Sequence, residues 1–390
     1  MTECRRCACV LAGPANGRVD APLALTVAAL LLLLPALTAP LMTVSSLGAV
    51  RASWLPSAAS GMWSDGYPSL AVLVAAFSIA LPAAFLGLLI WVLGNLHFAR
   101  RRPSPGRASG RVALGPTFRW VQRLRPWVMI EVFLVGSFVA YSRIKVISTV
   151  EVGIGGWCLI AATLALLFAL TQLDERTVWQ SLQPHDTGGG GAGIACTVCD
   201  FLVALREPVA RHCPRCGARL HARKPDSVRR TAALVAAGYL LYVPANLLPV
   251  LTIIRFGRED HNTILSGVLE LIHNDLWPLA IIVFAASIVL PLLKLFGLSW
   301  MLVATRRGSA ALLVGRTRFY RMIDVVGRWS NIDVFAVAML VAVLQFGTLT
   351  SVHAGTGLVA FAAVVIITMV ATEVFDPRLM WDASEGRARG

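Results

Sequence analysis

The chain states one plan twice. Ser78–Pro82 reads SIALP, and Ser287–Pro291 reads SIVLP 209 residues later. Pro35 and Pro40 recur at the same shift as Pro244 and Pro249. Farther on, Trp127–Val135 (WVMIEVFLV) matches Trp329–Val337 (WSNIDVFAV), and Asp174–Trp179 (DERTVW) matches Asp376–Trp381 (DPRLMW), both at a shift of 202. A seven-residue difference in one intervening loop reconciles the two shifts. Four blocks kept in order mark an internal duplication, so a fold available to one half must also suit the other.

Each half holds four apolar stretches, and their length sets the class. Hydrophobic residues make up 57% of the 390, charged residues only 14%, and the mean hydropathy is +0.70. Stretches of about 20 apolar residues cross a hydrocarbon core of about 30 Å. The first half is expected to span at Ala21–Val44, Leu70–Leu93, Trp127–Ile147 and Gly155–Leu173; the second at Ala232–Ile254, Leu279–Leu302, Ile332–Phe346 and Gly357–Val374. The predicted fold is an all-α polytopic membrane protein with eight transmembrane helices in two parallel four-helix repeats. Four is an even number, so both repeats start from the same side, unlike the inverted repeats of many transporters. The predicted organisation is a degenerate Cys-x-x-Cys module (1–19), the first membrane unit (20–180), a Gly-rich linker (181–194), a zinc-ribbon-like module (195–226), the second membrane unit (227–382) and a basic tail (383–390).

The net charge of +14 is gathered in a few segments, Ala99–Arg111 and Arg306–Arg321 above all. Charge placed beside apolar spans reads as a topology signal rather than a nucleic-acid footprint, and no nucleic-acid partner is expected. The basic segments, the Cys segments and both termini should share the cytoplasmic side of a bacterial inner membrane. Ser45–Ser69 and Arg255–Pro278 should lie opposite. A Cys-x-x-Cys precedes the first span and no clear small-x-small site follows it, so a cleavable signal peptide is not expected.

Four of the eight cysteines, Cys196, Cys199, Cys213 and Cys216, have the spacing C-x2-C-x13-C-x2-C. Four thiolates so spaced close a tetrahedral metal site, and Gly217 permits the tight turn behind Cys216. Zn²⁺ is favoured; iron in a rubredoxin-like site remains open. His212 is read as a bystander. The shift of 209 carries Cys213 and Cys216 onto Cys4 and Cys7. With Cys9 these form a possible second site, whose other half is degenerate or lies upstream of Met1.

Polar residues inside apolar spans are costly and so informative. Glu131 and Asp333 occupy equivalent places, each four residues after a Trp. Lys294 lies three residues after Pro291, where the first half has Phe85; a Lys294–Asp333 pair is expected. The alternative for the two acids is a place in the first helical turn, favoured by the helix dipole. Pro244 and Pro249, with Asn246 between them, predict a kinked span. His261–Pro278 reads as amphipathic, with Leu265, Val268, Leu269 and Ile272 on one face. Thr187–Ala195 (TGGGGAGIA) lacks the Lys-Ser/Thr of a phosphate-binding loop, and no Gly-x-Ser-x-Gly or His-Glu-x-x-His occurs. No enzyme is expected.

Together CTVC…CPRCG, YVPANLLPV, TILSGVLEL, WPLAIIVFAASIVLPLLKL, RWSNIDVFAVAMLVA and FDPRLMWD resemble the paraquat-inducible protein A family. The likeness is close from Cys196 to Asp382 and looser in the first half. It implies an inner-membrane protein with two zinc-ribbon or rubredoxin-like modules and two four-helix units. It also implies a periplasmic MCE-domain partner and a role in moving phospholipid between the membranes of a Gram-negative envelope. The reduced first module departs from that pattern. Two other functions stay open: a redox- or stress-responsive membrane metalloprotein, and a proton-coupled small-molecule transporter.

Overall fold

The computed structural model describes residues 2–3, 10–12, 19–46, 49–101, 108–146, 148–182, 193–204, 211–255, 258–344 and 350–388. The first half contains β1 (Thr2–Glu3), β2 (Val10–Ala12), α1 (Asp20–Thr38), β3 (Met42–Ser46), β4 (Ala49–Ser53), α2 (Leu55–Ser64), α3 (Pro68–Ala75), α4 (Leu81–Arg101), α5 (Ala108–Leu124), α6 (Ile130–Lys145), β5 (Thr149–Val152), α7 (Ile154–Gln172) and α8 (Glu175–Ser181). The second half follows the same order: β6 (Gly193–Ala195), β7 (Leu202–Ala204), α9 (Ser227–Leu247), β8 (Leu251–Arg255), β9 (Arg258–Asn262), α10 (Ile264–His273), α11 (Trp277–Phe284), α12 (Leu290–Arg306), α13 (Leu313–Val326), α14 (Ile332–Val343), β10 (Thr350–Ala354), α15 (Thr356–Val374) and α16 (Arg378–Ala388). Even the wide π-turns recur 209 residues apart, at Ala76–Ala80 and Ala285–Val289. They precede Pro82 and Pro291, which have no N–H to give the carbonyls of Ser78 and Ser287, and a widened turn absorbs that gap.

Seven helical stretches among the described residues are long and apolar enough to cross a membrane. The expected span Ala232–Ile254 is not among them. Its helix, α9, carries Arg229 and Arg230 in its first turn and Pro244 and Asn246 in its last, which dilutes its hydropathy. Both first spans of the two halves are also shorter than expected. α1 stops at Thr38 and α9 at Leu247, each two residues before a proline, whose ring disfavours helix in the residue ahead of it. The apolar residues that follow, with Val44 in the first half and Thr252, Ile253 and Ile254 in the second, form strands instead. Pro249 therefore lies outside the helix it was expected to kink. The basic segment ending at Arg321 and the predicted C-terminal tail contribute to helices α13 and α16.

The strands build two three-stranded antiparallel sheets of the same order, β4-β3-β5 and β9-β8-β10. The same glycine stitch holds each. Gly155 N–H donates to Pro40 O and Gly357 N–H to Pro249 O, both at 3.0 Å. At Gly153 and Gly355 a Cβ would run into the Pro40 and Pro249 carbonyl oxygens. Only a residue without a side chain permits that approach.

Compactness divides the chain into two units. One comprises Met1–Leu34, Leu81–Val128 and Ile160–Pro225. Within it α4 packs on α5, and Phe118 meets Trp179 edge-on with ring centroids 4.9 Å apart. Glu175 accepts from Gln122 at 2.7 Å and from Arg125. The other comprises Pro35–Ala80, Met129–Leu159 and Asp226–Gly390. There α9 lies along α15, α6 along α14, and Leu295, Leu298, Met301, Ile323 and Phe375 fill the core between α12, α13 and α15.

Along α6 and α14, equivalent residues of the two halves touch one another. Asn331 Nδ2 lies 2.9 Å from Met129 Sδ, and Phe133 meets Phe335 with centroids 5.5 Å apart. Each pair is 202 residues apart. At the end of α2, Asp65 accepts from Ala354 N at 3.0 Å and pairs with His353 Nδ1 at 3.1 Å. Asp65→Ala removes a nearly buried carboxylate and leaves its two partners, the Ala354 N–H and the His353 ring, without it. A loss of about 1–3 kcal/mol is expected, read as a lowered Tm of the detergent-purified chain.

Candidate functional site

Charged and polar side chains lie inside the helical bundle. Lys294, in α12, is only 2% exposed. Its Nζ donates to Gly327 O at 2.7 Å and to Thr368 Oγ1 at 3.5 Å, with Asp324 supplying the nearby negative charge. The expected pair with Asp333 is not formed. The Gly327 carbonyl captures the ammonium because Gly327 has no side chain: a Cβ there would fall on Lys294 Cε. Ser287, fully buried in the π-turn, has its hydroxyl beside the Asp333 carboxylate.

Glu131 and Asp333 both sit in the first turn of their helices, α6 and α14. Their surroundings differ. Glu131 pairs with Arg328 Nη1 at 3.3 Å. Asp333 lines a small cavity of about 20 Å³ with Arg143, Gly267 and Phe361. The duplicated position thus holds an ion pair in one half and a cavity wall in the other. Asn246 Nδ2 donates to Tyr242 O at 2.9 Å. Pro244 lies in the last turn of α9, and Pro249 is the acceptor of the glycine stitch.

The cysteine module forms on two short turns. Cys196 N–H donates to Phe201 O at 2.9 Å and Cys213 N–H to Ala218 O at 2.8 Å, which curls both Cys-x-x-Cys loops the same way. Gly217 has φ +66°, the left-handed conformation that completes the second turn. All four cysteines are buried and their sulfurs lie within 4.8 Å of one another, Cys196–Cys216 at 3.5 Å and Cys199–Cys213 at 3.6 Å. Four ligands at about 2.3 Å from one tetrahedral ion require sulfurs somewhat under 4 Å apart, so the set fits a single metal. Hydrogen bonding among the four sulfurs lowers the Cys196 and Cys213 thiols and raises those of Cys199 and Cys216, so within the set two sulfurs are donors to the other two. His212 is exposed and only bridges to Arg219. The module rests on α5 and α8: a Cβ at Gly115 of α5 would strike the Arg215 carbonyl, and the Arg215 guanidinium lies 5.5 Å from the ring centre of Trp179 in α8 and 5.8 Å from that of the module's own Phe201. The N-terminal candidates Cys4, Cys7 and Cys9 lie outside the described residues.

Sequence reading missed Gly327, Thr368, Ser287 and Arg143. Gly327 and Thr368 carry no motif of their own, and only the fold brings them to Lys294. Arg143 had a visible signal, a charge near the end of an apolar span, but it was absorbed into the span boundary.

A family model described as paraquat-inducible protein A matches residues 19–183 and again residues 228–385. The Intermembrane transport protein PqiA of Escherichia coli (strain K12) is 31% identical over 97% of this chain and 90% of its own length. The Lipophilic envelope-spanning tunnel protein A of the same organism is 31% identical over 71% of this chain and 65% of its own. A Probable intermembrane transport protein of Haemophilus influenzae is 26% identical over 97% and 90%. No solved structure matches. One model falling once on each copy of a duplicated plan of apolar helices decides the lineage: the chain belongs to the paraquat-inducible protein A family.

Proposed function

We propose that this chain is the inner-membrane component of an intermembrane phospholipid transport system, exchanging lipid with a periplasmic MCE-domain partner. The observation that carries the reading is the likeness, over nearly the whole chain, to a protein named for intermembrane transport. In this reading α9 completes a set of eight crossings, and both termini, the basic segments and the cysteine module face the cytoplasm. Ser45–Ser69 and Arg255–Pro278 face the periplasm. The kinked bundles pass lipid at the outer leaflet, and Lys294 supplies the charge that the transported headgroup or a coupled proton senses. The cysteine module binds one structural Zn²⁺ and braces α5 and α8, on which it rests, from the cytoplasmic side.

The deciding experiment is affinity capture from native membranes in mild detergent, with mass spectrometry of the proteins retained. A periplasmic MCE-domain protein in the eluate is the expected result. Its absence, with other membrane complexes intact, points to a stand-alone transporter or sensor. Metal analysis of the same preparation should give one zinc per chain and no visible absorption, whereas iron would colour it. Lys294→Ala is expected to leave abundance near normal and to impair an envelope lipid-barrier assay. Unchanged barrier function would make Lys294 a purely structural contact.

A further inference from the structure

Beside α10 lies a pocket of about 170 Å³ whose walls come from α6, α10, α14, β8 and β10. Most of its lining is apolar, including Leu251, Leu340 and Leu344, but two opposite charges look into it, Arg143 and Glu270. No ion pair joins them. Arg143 Nε is buried without a hydrogen-bond partner, and the guanidinium makes one long contact, Nη2 to Gly267 O at 3.4 Å. The Glu270 carboxylate has no hydrogen-bond partner among the described residues. Asp333 lines the smaller cavity beyond Arg143; its charge acts on Arg143 but lies outside ion-pair distance. Opposite charges held apart in a mostly apolar pocket are costly unless a ligand carries the complementary pair.

The other half shows what the same corner looks like when it is closed. The counterpart of Glu270 is Gly61, packed so that a Cβ would lie 3.3 Å from Val341 Cγ1. The counterpart of Asn274, which lines the pocket, is Asp65, already occupied by His353 and Ala354 N. Among the described residues, the corner beside α10 keeps the space, with Glu270 from the second half and Arg143 contributed by α6 of the first. The opposite face of α10 is an apolar furrow of about 390 Å³ formed by Leu265, Leu269, Ile272, Trp277, Ile281 and Phe284. An amphipathic helix with an apolar face and a neighbouring Trp lies at the membrane interface, which puts the pocket at headgroup depth.

We propose that this pocket binds the zwitterionic headgroup of an aminophospholipid, the phosphate on Arg143 and the ammonium on Glu270. The assignment rests on the lipid-transport reading and names its headgroup class. Phosphate suits Arg because the guanidinium offers several donors in one plane. The ammonium requires an anion beyond ion-pair reach of that Arg, which is where Glu270 stands.

The test measures binding of dihexanoyl phosphatidylethanolamine, dihexanoyl phosphatidylglycerol and free phosphoethanolamine to the detergent-purified full chain. The wild type should prefer the ethanolamine lipid. Glu270→Gln should weaken that lipid about tenfold and leave the glycerol lipid unchanged, erasing the preference; Arg143→Gln should weaken both lipids by tenfold or more. If Arg143→Gln does not yield a monodisperse protein, Arg143→Lys, which keeps the charge but loses the planar fork, should show a smaller loss for both. An unchanged lipid preference in Glu270→Gln overturns the proposal. Free phosphoethanolamine binding as tightly as the lipid overturns its lipid form and assigns a soluble phosphate ester. Phospholipid binding indifferent to both residues sinks the subsite alone, whereas a wild type that binds no phospholipid sinks the transport reading with it.

Discussion

Gly355→Ala should leave almost no folded protein in the membrane. The added Cβ points at the Pro249 carbonyl oxygen, with the Val250 carbonyl carbon 3.1 Å away. Both obstacles are backbone, so neither can swing aside as a side chain would. Relief requires β8 to move, which breaks Gly355 N–H to Val250 O and Gly357 N–H to Pro249 O, each 3.0 Å. Overpacking against fixed backbone with loss of two buried hydrogen bonds costs about 3 kcal/mol or more. Gly153→Ala should fail in the same way against Pro40. The control is Gly87→Ala, where no atom lies within 4 Å of the new Cβ. It removes a helix-interior glycine, worth up to about 1 kcal/mol of helix propensity, so its yield should match or exceed wild type. The measurement is the monodisperse peak of each variant after detergent extraction. A normal peak for Gly355→Ala would show that the stitch between β8 and the start of α15 is dispensable.

Cys213→Ser should abolish metal binding and lower the amount of folded chain. Among its described residues the module has little apolar core besides the four sulfurs and the Arg215–Trp179 contact, so a bound metal ion would supply most of its folding energy. Structural zinc contributes on the order of 10 kcal/mol in isolated cysteine-rich modules, more than such a module can replace by packing. The expected readouts are zinc near zero per chain and rapid proteolysis between Gly193 and Pro225. Transport per surviving folded molecule should be little changed. Normal abundance with lost transport would give the site a functional rather than a bracing role. Because the ligands must be thiolates, acid competes with the metal: zinc should be retained at neutral pH and released as pH falls through the range in which the thiolates are reprotonated.

The duplication was legible because its markers are prolines, tryptophans and acids, residue types that keep their identity where apolar residues drift. The cysteine module was legible because metal spacing is local, and the apolar helices because length and composition decide them. Two things escaped. Met42–Ser46 and Leu251–Arg255 continue an apolar run, and hydropathy alone does not distinguish the end of a helix from the start of a strand; Pro40 and Pro249 were the signal, Pro40 read only as a repeat marker and Pro249 as part of a kink rather than as a stop. The polar contacts escaped because their partners are far apart in sequence. Lys294 reaches Thr368 across 74 residues and Arg143 reaches Gly267 across 124. Equivalence in sequence also misled. Glu131 and Asp333 share a place but not a partner, since Arg328, which pairs with Glu131, has Pro126 as its counterpart.

The meeting of Met129 with Asn331 and of Phe133 with Phe335 has a historical consequence. A surface on which each residue touches its own counterpart is what a two-fold axis generates between identical subunits. A half-length ancestor of this chain would have dimerised through its third long helix, and gene fusion then freed the two copies to diverge. Lys294 against Phe85 and Glu270 against Gly61 are products of that freedom, because a strict homodimer must carry every pocket twice. Residues 1–190 and 191–390, expressed as separate chains, should therefore recognise each other in the membrane and restore the pairing of Phe133 with Phe335.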